Sequence, residues 1–262
     1  TASAPDKPEA AAATVTLKDA LASPQRVKID APRIAGSINL KGAVIDDLVL
    51  KGYQETVKKD SDPVRIFAPE GTPEQYFAEF GFVYGGRTLP NDTLWEADAE
   101  TLTPETPVTL SYTNEAGTVF KIRLTVDDNY MLAAEQVVEN GSEAAAIVQP
   151  FALVQRSNVN ASPSTFIALA GPTGVFGGTL HDTIDYDDLV EVKTDYPSGN
   201  PSWLGFTDDY WMSALIPGEG ETDKAGWRSL GKNQFNAGVT YEAQTLPAGE
   251  ALTQSTQLFA SA

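Results

Sequence analysis

One histidine, no cysteine and a scatter of paired aspartates are the chemistry this chain could offer. A single imidazole, His181, excludes a two-histidine metal site and a paired-imidazole mechanism. Set in Gly-Thr-Leu-His-Asp, it reads as a hydrogen-bonded structural residue. Asp182, Asp185, Asp187 and Asp188 follow closely, but without the central glycine and terminal glutamate of a calcium loop they read as a solvated acidic loop. Asp46-Asp47 and Asp127-Asp128 could each lend a carboxylate to glycosidase-like chemistry. Neighbours on a strand face opposite sides, so neither doublet is expected to act as a pair. Gly171-Pro172-Thr173-Gly174 and Gly177-Gly178 lack the lysine of a phosphate loop and read as hairpin turns. No Gly-x-Ser-x-Gly elbow occurs, and the glycosylation patterns at Asn91 and Asn140 are short enough to arise by chance. No catalytic residue, metal site or cofactor site is expected.

Composition narrows the partners. The 262 residues carry 36 acidic and 18 basic side chains, a formal net charge of -18. Such a surface repels nucleic-acid backbones and anionic headgroups, and it keeps a domain dispersed. The absence of cysteine removes disulfides and thiol chemistry. No stretch approaches the ~18 consecutive apolar residues of a membrane span, so the chain is expected to be soluble. Residues 1–26, opening on an Ala- and Pro-rich run, read as a flexible linker or tail. Residues 27–262 read as one domain, and the abrupt finish after strand-like Ala251 to Phe259 is what a piece of a longer chain would show.

The elements that must position any site have period two. Val119 to Val126 puts Phe120, Ile122, Leu124 and Val126 on one face and Lys121, Arg123 and Thr125 on the other. Asn114 to Gly117 before it suits a hairpin loop, and Asp127-Asp128-Asn129 turns the chain into Met131 to Val138. Trp203 to Pro217 suits two short buried strands joined at a polar corner of Thr207, Asp208 and Asp209. Helix signals are brief: Thr72-Pro73-Glu74-Gln75 fits a capping box, although Tyr76 to Phe80 alternates as a strand, and Asp182 to Glu191 is ambiguous. The expected fold class is all-β.

Four blocks in order carry a resemblance: Arg33 to Leu50 with Tyr53; Tyr76 to Phe82; Val126 to Tyr130; and Trp203 to Trp211 through Leu215-Ile216-Pro217. Together they resemble the large periplasmic domain of the YidC membrane protein insertases. The resemblance implies a β-supersandwich of galactose mutarotase-like type with a few short helices, some near the C-terminal end. It implies a non-catalytic accessory module at the periplasmic side of the bacterial inner membrane, in a membrane-embedded parent. The partners implied are Sec translocon components and nascent membrane proteins. A carbohydrate-binding or mutarotase-like protein on the same fold is the alternative. Trp203, Phe206, Tyr210 and Trp211 offer more aromatic surface than one core obviously needs, and they are the candidate lining of a peptide-binding cleft.

Overall fold

A computed structural model describes residues 15–56, 61–157, 170–208 and 210–261. The first half runs α1 (Leu17–Leu21), β1 (Arg26–Asp30), β2 (Ile34–Asn39), β3 (Val44–Gln54), β4 (Pro63–Phe67), β5 (Tyr76–Tyr84), β6 (Arg87–Thr88), β7 (Glu96–Ala97), β8 (Thr101–Leu102), β9 (Val108–Thr113) and β10 (Val119–Val126). The second half runs β11 (Met131–Glu139), β12 (Ala146–Ser157), β13 (Gly171–Phe176), β14 (Thr179–His181), α2 (Tyr186–Val192), β15 (Thr194–Asp195), β16 (Pro201–Thr207), β17 (Met212–Pro217), β18 (Thr222–Gly231), β19 (Gln234–Tyr241), β20 (Gln244–Leu246) and β21 (Ala251–Ser261).

Two sheets form. One has twelve strands, with β15-β18-β19-β12-β5-β3-β2-β1-β8 as its main path; the other has nine, ordered β14-β13-β16-β17-β21-β11-β10-β9-β7. Each presents its apolar parity inward. Phe120, Ile122 and Leu124 of β10 and Leu258 of β21 meet Ile38, Phe80, Phe82 and Val154 of the larger sheet in one buried core. Polar rivets cross between the layers and fix their register. Trp227 Nε1 donates to Gly205 O at 2.9 Å, Tyr84 Oη meets Thr118 Oγ1 at 3.0 Å, and Tyr241 Oη meets Thr256 Oγ1 at 2.6 Å. Gln136 Nε2 reaches from β11 to Gly81 O at 2.7 Å.

Most expected strands stand where alternation placed them, including both halves of the tryptophan-rich segment as β16 and β17. Four local expectations are corrected. Thr72 to Gln75 starts no helix: Ala68 and Tyr76 exchange both backbone hydrogen bonds, at 2.8 and 2.9 Å, and clamp the segment into a turn. Gly171 to Gly174 is strand, not turn, because β13 must lie close against β16. A Cβ on Gly174 would sit 2.8 Å from Trp203 O. Gly177 and Gly178, both at positive φ, do make the turn into β14. Finally, the helices lie at 17–21 and 186–192, while the C-terminal segment is the eleven-residue strand β21, whose alternate residues are core. Residues 15–25, expected in the tail, contain α1, capped by the Thr16 side chain.

Candidate functional site

A further correction makes a site of its own. The register of β2 against β3 slips between Ser37 and Ile38, so Asp46 is the extra residue of a β-bulge. The bulge breaks strict alternation, and both aspartates join one network. Arg26 bonds Asp46 and, through Nε, Ser37 Oγ at 2.8 Å; Ser37 Oγ donates to Asp47 Oδ2 at 2.7 Å; Arg65 pairs with Asp47. Burial pushes the Asp46 carboxyl up against the pull of Arg26. Each carboxylate is committed to an arginine. Asp127, of the other doublet, accepts from the backbone of Asn129 and Met131 and shapes its turn. His181 is half-buried, edge-on to Phe176 at 5.5 Å, and lines none of the cavities considered below.

Between the sheets lies a pocket of about 240 Å³ whose wall includes Arg65, Gln75, Tyr76, Arg156, Phe206 and Trp211. Inward parity on β12 carries Arg156 into the core after Ala152 and Val154. Its guanidinium donates to Asp208 Oδ2 at 2.6 Å and stands 5.0, 5.7 and 6.0 Å from the ring centres of Tyr76, Tyr186 and Phe206. Burial pushes both phenols up, so at neutral pH the cation meets uncharged ring faces. Arg156 Nε and Gln75 Nε2 are buried with no hydrogen-bond partner, two donors suited to a carbonyl or carboxylate oxygen.

Of the four aromatic candidates, two meet here. Phe206 is 1% exposed in the pocket wall, and Trp211 packs edge-on to Tyr53 at 5.4 Å. Tyr210, next to Trp211 in the chain, is 83% exposed at φ 75° and is not part of the pocket wall. Trp203 is half-buried on the opposite parity of β16 from Phe206, away from the pocket.

A second hollow runs over the outer face of the larger sheet. Two adjoining cavities, about 500 and 450 Å³, share Glu79, Asn91 and Gln155. Strand register sets their floor. Leu153 pairs with both Glu79 and Gly238, and Gly238 with Gly226, so one row across β5, β12, β19 and β18 is nearly flat. The next row, Gln155, Asn236 and Arg228, makes a polar wall. Burial, reinforced by the Glu70 carboxylate, pushes the Glu79 carboxyl up to about 7. Neither Arg156 nor Glu79 was picked out from sequence. The available signals were an arginine on the inward parity of Val148 to Arg156 and a lone carboxylate inside Tyr76 to Phe82.

A two-sheet supersandwich with a pocket between its layers and a hollow over its outer face defines the class. Solved structures share this fold. A galactose mutarotase related enzyme from Lactobacillus acidophilus superposes with a TM-score of 0.61 at 13% identity, over 90% of this chain and 97% of that one. A galactose mutarotase-like protein from Lactobacillus casei gives 0.53 at 12% identity, over 90% and 99%. Residues 26–262 match the family described as the YidC periplasmic domain, and the chain belongs to that family. It is 43% identical over 205 residues to the membrane protein insertase YidC of Beijerinckia indica, covering 76% of this chain and 34% of that protein. It is 35% identical over 245 residues to that of Rickettsia canadensis, covering 91% and 44%. The chain thus spans less than half the length of these relatives. No helix among the described residues is long and apolar enough to cross a membrane.

Proposed function

We propose that the domain is a non-catalytic interaction module of a membrane protein insertase, facing the periplasm beside the inner membrane. Its partners would be Sec translocon components and segments of nascent membrane proteins. Family membership over residues 26–262 is the observation that carries this reading. The local chemistry supports it: Asp46 and Asp47 are tied to arginines, and His181 packs on Phe176.

The contact surface proposed for substrate segments is the mouth of the arginine pocket. Trp211 lines it, the exposed Tyr210 precedes Trp211 in the chain, and Arg156 and Gln75 hold unused donors in the pocket. Photo-crosslinking from position 210 in the full-length parent, during insertion of a model membrane protein, tests the reading. Adducts to the nascent chain or to translocon subunits are expected. Labelling confined to lipid, or none while insertion proceeds, would refute it.

A further inference from the structure

The arginine pocket continues past its own wall. It shares Arg65, Ala68 and Glu74 with a second hollow of about 480 Å³, so the two adjoin. One side of that hollow is the start of α1, with Val15 and Leu17; the other is the turn after β4, with Ala68 and Pro73. Leu17, Ala20 and Leu21 fall on one face of α1 at helical spacing, and all three are half-buried, none fully. Val15 N donates to Gly71 O at 3.3 Å and ties the segment to the turn. The helix thus lies against an apolar space that it does not fill.

The pocket end of this space holds the donors. Gln75, 6% exposed, accepts from Gly71 N at 2.9 Å through Oε1, which fixes its amide and leaves Nε2 buried without a partner. Arg156, 9% exposed, spends Nη2 on Asp208 and keeps Nε buried without a partner. Both side chains line the pocket, so an oxygen acceptor entering it would find two desolvated N–H groups. Charge there is already matched. Arg65 pairs with Asp47 and Arg156 with Asp208, while the exposed Glu74 stands in both walls. An added carboxylate would face Glu74 uncompensated, whereas an uncharged carbonyl would not. Around the second hollow, Thr16 is spent on Asp19 and Thr72 on Pro69 O. A peptide threaded there would leave its own N–H and C=O groups unpaired; a hydrocarbon chain brings none.

We infer that the two hollows together bind an uncharged, single-chain acyl ester. Its hydrocarbon would lie between α1 and the turn after β4, and its carbonyl oxygen would accept from Arg156 Nε and Gln75 Nε2. At about 240 and 480 Å³, the joined hollows are of the size that small-molecule ligands occupy. Their arrangement also matches such a ligand, with apolar lining along the length and a few convergent donors at one end. The bound chain would cover Leu17 and give α1 the buried contact that none of its residues now makes. The inference goes beyond the partner reading above and does not depend on it.

The test is a titration of the isotope-labelled 262-residue chain with monolauroylglycerol, kept below its micelle-forming concentration and followed by calorimetry and side-chain chemical shifts. Three ligands run in parallel: glycerol monododecyl ether, which lacks the carbonyl; laurate, which adds a charge; and an uncharged leucine- and alanine-containing peptide. Saturable one-to-one binding of the ester, moving the Gln75 side-chain amide and the Leu17 methyl groups, is expected. The ether should bind about tenfold more weakly. Gln75→Glu keeps the acceptor for Gly71 N and removes the donor, and Leu17→Asp charges the acyl path; each should weaken the ester about tenfold. The half-buried Leu17 position keeps the test open should Gln75→Glu disturb folding. No saturable binding, equal affinity for ester and ether, or tighter binding of laurate overturns the inference. Shifts at Gln75 and Leu17 from the peptide alone, or ester affinity unchanged in Leu17→Asp, overturn it as well. Crosslinking from position 210 can fail or succeed without altering these outcomes.

Discussion

Replacing Glu79 by glutamine should alter stability in a pH-dependent way whose direction follows from its surroundings. The carboxyl is held at about 7 in the folded chain, against an ordinary value of 4.5, first by burial and then by Glu70. Below pH 4.5 both folded and unfolded states carry it neutral, and the variant should match the parent. As pH rises from 4.5 towards 7, the unfolded chain ionises and the folded chain resists. Stability relative to the acid limit is therefore lost across that window and levels off above it. The full difference corresponds to at most about 3 kcal/mol. Glu79 is half-buried over a groove that water enters, and screening brings the expectation to about 1–2 kcal/mol. Urea unfolding of both proteins at pH 4, 5.5, 7 and 8 measures it. Glutamine should be neutral at pH 4 and stabilising by about 1–2 kcal/mol at pH 8. A difference independent of pH, or one that grows towards acid, would refute the reasoning.

Three further outcomes are expected. Arg156→Ala strips a buried cation from Asp208 and three aromatic rings and should cost about 3 kcal/mol, or roughly 6–12 °C in Tm by calorimetry. Asp208→Asn, whose parent carboxylate is 46% exposed, should cost less than half as much; equal losses would mean the ion pair, not the arginine's burial, dominates. A Cβ at Gly205 would lie 1.9 Å from Ser213 O, inside a backbone ladder, whereas the atoms nearest to one at Gly81 belong to the Phe151 ring, from 2.2 Å. Gly205→Ala should fail to fold while Gly81→Ala folds with a displaced ring, as far-ultraviolet dichroism would report, and the reverse order would contradict the packing. Asp30 hydrogen-bonds Lys28 and Lys51, which hold its carboxyl at about 2; carbon-detected titration should show that value rising in Lys51→Met and should show no change if the contact is absent in solution.

The strands were legible because burial imposes period two locally. In β10, Phe120, Ile122, Leu124 and Val126 needed no knowledge of the partner sheet to be assigned inward. The family was legible too, because the four blocks keep their order. The groove was not. Glu79, Gln155 and Asn236 are brought together by registers linking residues up to 157 positions apart, and no local pattern encodes which strand will lie beside which. The Asp46 bulge escaped for a related reason. A one-residue slip leaves no compositional mark, yet it turned two opposed carboxylates into neighbours. Of the aromatic quartet, Phe206 and Trp211 were placed together and Trp203 apart, because strand parity separates residues three positions apart.

The position of β21 has a consequence for how the chain assembles. The last eleven-residue strand is the seam of the smaller sheet, inserted between β17 and β11, with Leu258 touching Leu215 on one flank and Leu132 on the other. Until residues 251–261 are available, two half-sheets stand with open flanks and their apolar sides uncovered. A domain delivered from its N-terminal side would therefore stay unzipped until β21 arrives. Loss of only a dozen residues from that end should leave an adhesive, self-associating species instead of a slightly shorter domain.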